Sequence, residues 1–169
     1  MSTYRLAGAV LTAAVLLGAC SSGDSEDAAT CTYDTTFEGV AVSGTGGEQA
    51  TIEVTEESQP ATELETLDLC DGDGEAVGPT SVITADYIGV AQSTGEVFDS
   101  SFSRGTPATF PIEGVIAGWQ EGLQGMQVGG TRMLVIPPEL AYGEVSPGPG
   151  IGPDETLVFV VDLVAIEGQ

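Results

Sequence analysis

The sequence predicts an α+β domain: an antiparallel β-sheet wrapped around one short α-helix. Two observations predict it. From Phe37 onward, apolar and polar residues alternate in many short runs separated by Gly-, Pro- and Asp-rich breaks, the period of half-buried strands. Only one stretch, "GVIAGWQEGLQGM" at 114–126, carries apolar residues at helical spacing. Many strands with a single helix fit a sheet that buries one face on that helix. No internal repeat or composition break marks a second domain, and 169 residues suit one domain with attachments.

The strands follow in order. "VAVSG" and "ATIEVTEE" flank the break "GTGGEQ", and "ELETLDL" alternates before the loop "DGDGEAVGPT". "SVITADYIGV" puts Ile83, Ala85 and Tyr87 on one face. "TRMLVIP" and "TLVFVVDLVAI" are the strongest strands; in the last, Leu157, Phe159, Val161 and Leu163 share a face. In the helical stretch Val115, Ile116, Trp119 and Leu123 form the apolar side, and glycines at 114, 118, 122 and 125 limit it to about two turns.

Charge excludes whole classes of function. Three basic residues face 26 acidic ones, a net charge of −23, with no histidine and no lysine. Phosphate contacts need Lys and Arg, so nucleic acid is excluded as a partner. Without histidine there is no imidazole metal ligand, no Ser-His-Asp triad and no ordinary general base near neutral pH. Any reaction here needs little proton shuttling. Arg104 and Arg132 are expected to pair with acids, and most carboxylates to form a solvated face.

The N-terminus reads as an export segment. One Arg precedes an apolar run from Leu6 to Ala19, long enough for a signal-peptide core and short for a membrane span. It ends in "LGAC", similar to the lipobox of bacterial lipoproteins. By that similarity residues 1–19 are a signal peptide and Cys20 becomes the lipidated first residue, placing the protein on the extracytoplasmic face of the cell membrane. Residues 20–36, in which "SSGDSEDAAT" follows Cys20, are too polar and small there to form a core and read as a flexible acidic tether. The folded domain spans 37–169. Export leaves Cys31 and Cys70, which in an oxidising compartment are expected to be bridged; two buried free thiols are the alternative.

Several motifs fail. "DGDGE" at 71–75 lacks the Gly and Glu that a calcium loop needs at its sixth and twelfth positions, where Ala76 and Val82 stand. The glycines near 44–47 complete no phosphate or dinucleotide motif, and no serine sits in a nucleophile elbow. "VFDSSF" at 97–102 is more informative. It sets one carboxylate between two aromatics and beside two hydroxyls, so Asp99 is either a surface turn acid or a polar group inside an apolar pocket.

From Tyr87 to Ile166 the chain resembles the FKBP-type peptidyl-prolyl isomerases. The pieces occur in order: "DYIG", "VFDSSF", "PATF", "GVIAGWQEGLQGMQVGGTRMLVIPPELAYG" and "TLVFVVDLVAI". The resemblance implies a catalytic centre of Phe98, Asp99, Trp119 and Tyr142. It implies a substrate-binding wall of Tyr87, Phe110, Val115, Ile116, Ile151 and Phe159, with the Ile116 N–H binding a ligand carbonyl. Trp119 is then the pocket floor, and Ser100 and Ser101 fix the turn beside Asp99. Two departures stand out: Ala108 replaces a second wall aromatic, and the loop "EVSPGPGIGP" lacks the family's common histidine.

The implied activity is isomerisation of Xaa–Pro bonds in exported polypeptides. It needs no cofactor and no metal, because no covalent bond is made or broken. Proline-containing polypeptides are the expected partners, the membrane is met through the lipid anchor, and a monomer is the default. A proline-segment binding module and a surface lipoprotein with little activity are the alternatives.

Overall fold

The computed structural model describes residues 31–167. The expected signal peptide, Cys20 and most of the expected tether lie outside the described residues.

Among the described residues nine strands form two antiparallel sheets. A six-stranded sheet contains β4 (Glu65–Cys70), β5 (Val82–Ala91), β6 (Val97–Ser100), β7 (Ala108–Pro111), β8 (Thr131–Ile136) and β9 (Leu157–Glu167). Its order is β4-β8-β9-β5-β6, with β7 paired to β5 on the same edge as β6. A smaller sheet holds β1 (Thr32–Phe37), β2 (Val40–Thr45) and β3 (Thr51–Val54), in that order. The helix α2 (Ala117–Gly122) packs on β8, and one helical turn, α1 (Ser101–Arg104), follows β6.

β9 shows how both faces are used. Leu157, Phe159, Val161 and Leu163 point to the helix side, where they meet Trp119, Leu123, Leu134 and Ile136. Val158 and Val160 point to the other side, against Tyr33, Val40 and Val42 of the small sheet. A central strand covered on both faces reads as a continuous apolar run, which "LVFVV" is. Val40 and Val42 are 0% and 1% exposed, and burying each contributes about 1.5–3 kcal/mol. The small sheet is therefore a packed cover on the back of the main sheet.

This cover moves the start of the folded part. The tether was expected to run to residue 36, but β1 begins at Thr32. The segment "TYDTTF" hides its strand character because Thr supplies β-branching without apolarity, and Tyr33 is its one buried side chain. A two-residue turn, Glu38-Gly39, joins Phe37 to Val40, and both of its residues have positive φ (49° and 71°), as a hairpin turn matched to strand twist requires. Cys31 and Cys70 are bridged, with Cα atoms 6.0 Å apart, tying the start of β1 to the end of β4.

The helix is shorter than its apolar pattern. It starts at Ala117, with Ile116 as its extended N-cap, so Val115 and Ile116 lie in the approach to the helix rather than in it. Gly118 sits where any Cβ would strike the Ile136 side chain, so this glycine lets the helix lie close on β8. A second helical turn was not expected. It forms because Ser100 caps it, its Oγ accepting from the Ser103 N–H at 3.4 Å, and Gly105 ends it at φ 71°.

Candidate active site

Between the helix approach and the strand edge β5–β6 lies a hollow of about 110 Å³. It is lined by Tyr87, Phe98, Asp99, Phe110, Val115, Ile116, Trp119, Tyr142 and Phe159. Each comes from a different local cause. Tyr87 and Phe159 project from the paired central strands β5 and β9. Phe98 and Asp99 sit on β6, Phe110 on β7, and Trp119 on the buried face of α2. Tyr142 follows the 3₁₀ turn Pro138–Leu140 and stands 41% exposed at the mouth.

The aromatic rings brace one another edge to face. Trp119 meets Tyr87 at 5.3 Å and 90°, Phe159 at 5.3 Å and 83°, and Phe110 at 5.8 Å and 80°. Phe98 meets Phe159 at 5.4 Å and 88°. Such pairs add about 0.5–1.5 kcal/mol each beyond burial and fix ring orientation. Gly89, on β5 beneath them, makes the packing possible. A Cβ there would lie 2.6 Å from Phe98 Cζ and 2.7 Å from Phe159 Cε1.

Asp99 resolves the choice left by "VFDSSF": it lines the hollow, yet its carboxylate reaches the rim. The Tyr87 hydroxyl donates to its Oδ2 at 2.6 Å, and the Ser100 N–H donates to its Oδ1 at 2.8 Å. Arg104 donates Nη1–H to Oδ1 at 2.5 Å and Nη2–H to the Tyr87 oxygen at 2.7 Å, closing a three-residue ring. The Arg104 guanidinium also lies 5.4 Å from the Tyr87 ring centre. Desolvation pushes the Asp99 carboxyl up, but the Tyr87 hydroxyl and Arg104 outweigh it and hold its pKa below the usual value. Burial and the Asp99 bond push the Tyr87 phenol up to about 12. At neutral pH the pair is therefore one carboxylate and one phenol that stays a donor. Neither is set up to move a proton.

The serines fix the turn in ways the sequence did not specify. Ser100 is the α1 cap. Ser101 is buried, accepts the Tyr87 N–H at 2.9 Å and donates to Asp86 Oδ1 at 2.6 Å. On the far wall, Ile116 O accepts from the Trp119 and Gln120 N–H groups, while among the described residues the Ile116 N–H donates to no protein acceptor. Trp119 Nε1 is buried without a partner.

One expected wall residue sits beside the lining rather than in it. Ile151 is 8% exposed and packs in the same core cluster as Tyr87, Trp119 and Phe159, and the nine residues that line the hollow do not include it. Ser146 Oγ donates to Ile151 O at 2.6 Å, and Ile151 bridges to Gly148, so the loop folds Ile151 inward while Val145 stays 69% exposed. The sequence reading also gave Arg104 only a generic acid partner. Its position five residues after Asp99, in a chain with three basic residues, was the available signal. A larger hollow of about 400 Å³, lined by Val54–Glu56, Ser58, Pro60 and Gln92–Gly95, has no aromatic wall.

The chain is similar to known proteins over the part that builds this hollow. The family model described as FKBP-type peptidyl-prolyl cis-trans isomerase matches residues 73–164, a span that begins after β4 and leaves out the small sheet. An FK506-binding protein of Streptomyces anulatus is 49% identical over 111 residues, 64% of this chain and 90% of that protein. A probable FK506-binding protein of Corynebacterium glutamicum is 48% identical over 107 residues, 63% of this chain and 90% of that protein. Among solved structures, FkpA from Escherichia coli superposes with a TM-score of 0.58 at 42% identity, over 64% of this chain and 50% of that one. With over half of its residues matched to the family model, and the hollow's lining inside the matched span, the chain belongs to the FKBP-type peptidyl-prolyl cis-trans isomerases.

Proposed function

We propose that this isomerase acts on Xaa–Pro bonds of exported polypeptides while held by lipid on the extracytoplasmic face of the membrane, as a monomer. The observation that carries the site assignment is the convergence of nine side chains, distant in sequence, on one mostly aromatic hollow. The amide rotates over a barrier of about 18–20 kcal/mol set by resonance. The planar amide is more polar than the twisted one, so an apolar enclosure disfavours the planar state more and lowers the barrier. Binding the twisted form more tightly than the planar one accelerates rotation by differential binding. Trp119, Phe159 and Phe98 exclude water and grip the proline ring. The Ile116 N–H orients a ligand carbonyl. Asp99, fixed by Tyr87 and Arg104, presents a stationary negative charge to the polarised carbonyl carbon, and Tyr142 donates at the mouth. Uncatalysed isomerisation takes tens of seconds, long enough to limit folding of exported chains.

A protease-coupled assay on an Xaa–Pro tetrapeptide tests these roles. Asp99→Ala is expected to lower kcat/KM roughly tenfold, since hydrogen bonds to charged groups are worth about 1.5–3 kcal/mol. Tyr142→Phe, losing one neutral hydrogen bond of ~1 kcal/mol, is expected to cost roughly fivefold. Native rates in both variants contradict the assignment. For the anchor, Cys20→Ser should move the protein from the membrane to the soluble fraction, and membrane retention would refute lipidation.

A further inference from the structure

The isomerase site sits in a surface with almost no free positive charge. Among the described residues the two basic side chains are both consumed: Arg104 by Asp99 and Arg132 by Asp68, each at 2.5 Å. The segments that form the mouth carry carboxylates beside the lining residues. Glu96 is exposed two residues before Phe98. Glu113 is exposed in the 3₁₀ turn Ile112–Gly114 that leads into Val115. Glu144 is exposed two residues after Tyr142. Asp154 is exposed on the segment whose N–H donates to Gly143 O at 2.8 Å, which pins it to the Tyr142 loop. The apolar side chains Val97 and Val145, 54% and 69% exposed, follow Glu96 and Glu144 directly in the chain.

We infer that the pocket selects proline segments flanked by basic residues, with Glu113 and Glu144 as specificity-determining residues. The inference rests on the isomerase reading and deepens it. The hollow with its Trp119 floor is what receives the proline; the acids decide which flanks approach it. Exposed charges interact over ~10 Å at moderate salt, so a Lys or Arg flanking the bound proline is attracted by these carboxylates, while a Glu there meets no unpaired cation among the described residues. The net charge of −23 adds a long-range pull on cationic chains and a push on anionic ones, which changes encounter rates.

The chemistry of rotation fixes how the preference appears. The flanking charge lies outside the twisting amide and interacts equally with its planar and twisted forms. Uniform binding lowers KM and leaves kcat unchanged. Preference for basic flanks is therefore a KM effect that salt removes, unlike a preference set by pocket shape.

Three peptides that differ only two residues ahead of proline, with Lys, Gln or Glu there, test it. At low salt kcat/KM is expected to fall in the order Lys, Gln, Glu, with about tenfold between the ends, carried by KM. At 1 M salt, where the screening length is about 3 Å, the three are expected to agree within about twofold. Glu113→Gln with Glu144→Gln should shrink the low-salt ratio to roughly a third and leave the Gln peptide unchanged. Equal rates for Lys and Glu at low salt, or a ratio that survives 1 M salt, overturns the inference. A full ratio in the double variant overturns the assignment to these two residues. If the Gln peptide is not accelerated, the isomerase reading fails separately. The charge preference is then decided by binding, read from the fluorescence of Trp119, the only tryptophan in the chain.

Discussion

Two aspartates in this protein have opposite environments. Asp99 accepts from Tyr87, Ser100 and Arg104, so its ionised form is stabilised. Asp162 lies 5% exposed in the interface with the small sheet, where the Thr131 hydroxyl and the Gly47 N–H donate to it. Burial raises its pKa, those two bonds oppose the rise, and Asp86, its cross-strand partner, adds to it. A carboxyl with a raised folded-state pKa favours the fold when protonated. That contribution is fully present below the unfolded value of about 3.9 and is lost as pH rises through the raised value. Asp162→Asn removes the titration and keeps an acceptor for both donors. The melting temperature of Asp162→Asn relative to the native protein is therefore expected to be most favourable at pH 7 and to decline toward pH 4. A relative melting temperature that rises toward pH 4 contradicts this account. Asp99 also marks what sequence could carry: its place in the pocket followed from the family resemblance. Its ring with Tyr87 and Arg104 did not, because partners 12 and 5 residues away meet only once β5, β6 and α1 are assembled.

The elements divide between two faces. β6, β7 and α2 build the pocket on one side of the main sheet, while β1–β3 cover the other. The strands β5, β8 and β9 were legible because their apolar residues dominate their runs. β1 was not, since its burial depends on a partner sheet and on one tyrosine. The inward packing of Ile151 was not legible for a related reason: a Pro- and Gly-rich loop gives no period from which to tell an inward side chain from one facing the site. The disulfide Cys31–Cys70, spanning 39 residues, holds the cover at its edge. Cys31→Ser with Cys70→Ser is expected to lower stability by about 2–4 kcal/mol in denaturant titration. It is also expected to leave kcat/KM of the still-folded protein within about twofold, since the pocket is on the far face. A pocket that loses activity together with the bridge would show that the two faces are coupled.

At the scale of the whole molecule, the acidic excess and the pocket divide the work. Self-repulsion among the carboxylates opposes compaction and favours solubility, and the two-sided core offsets it. The absence of histidine and lysine agrees with a reaction that transfers no proton and forms no covalent intermediate. Composition could rule out a His-dependent triad, but it could not locate the hollow, which lies where β5, β6, β7, β9 and α2 meet. The most direct measurement is the cis–trans exchange rate of an Xaa–Pro peptide by magnetisation transfer, with and without the protein at catalytic concentration. An exchange rate raised at least a hundredfold above the uncatalysed rate of about 0.01–0.1 s⁻¹ is the predicted result. Peptide resonances that shift on binding while exchange stays at the uncatalysed rate would contradict it.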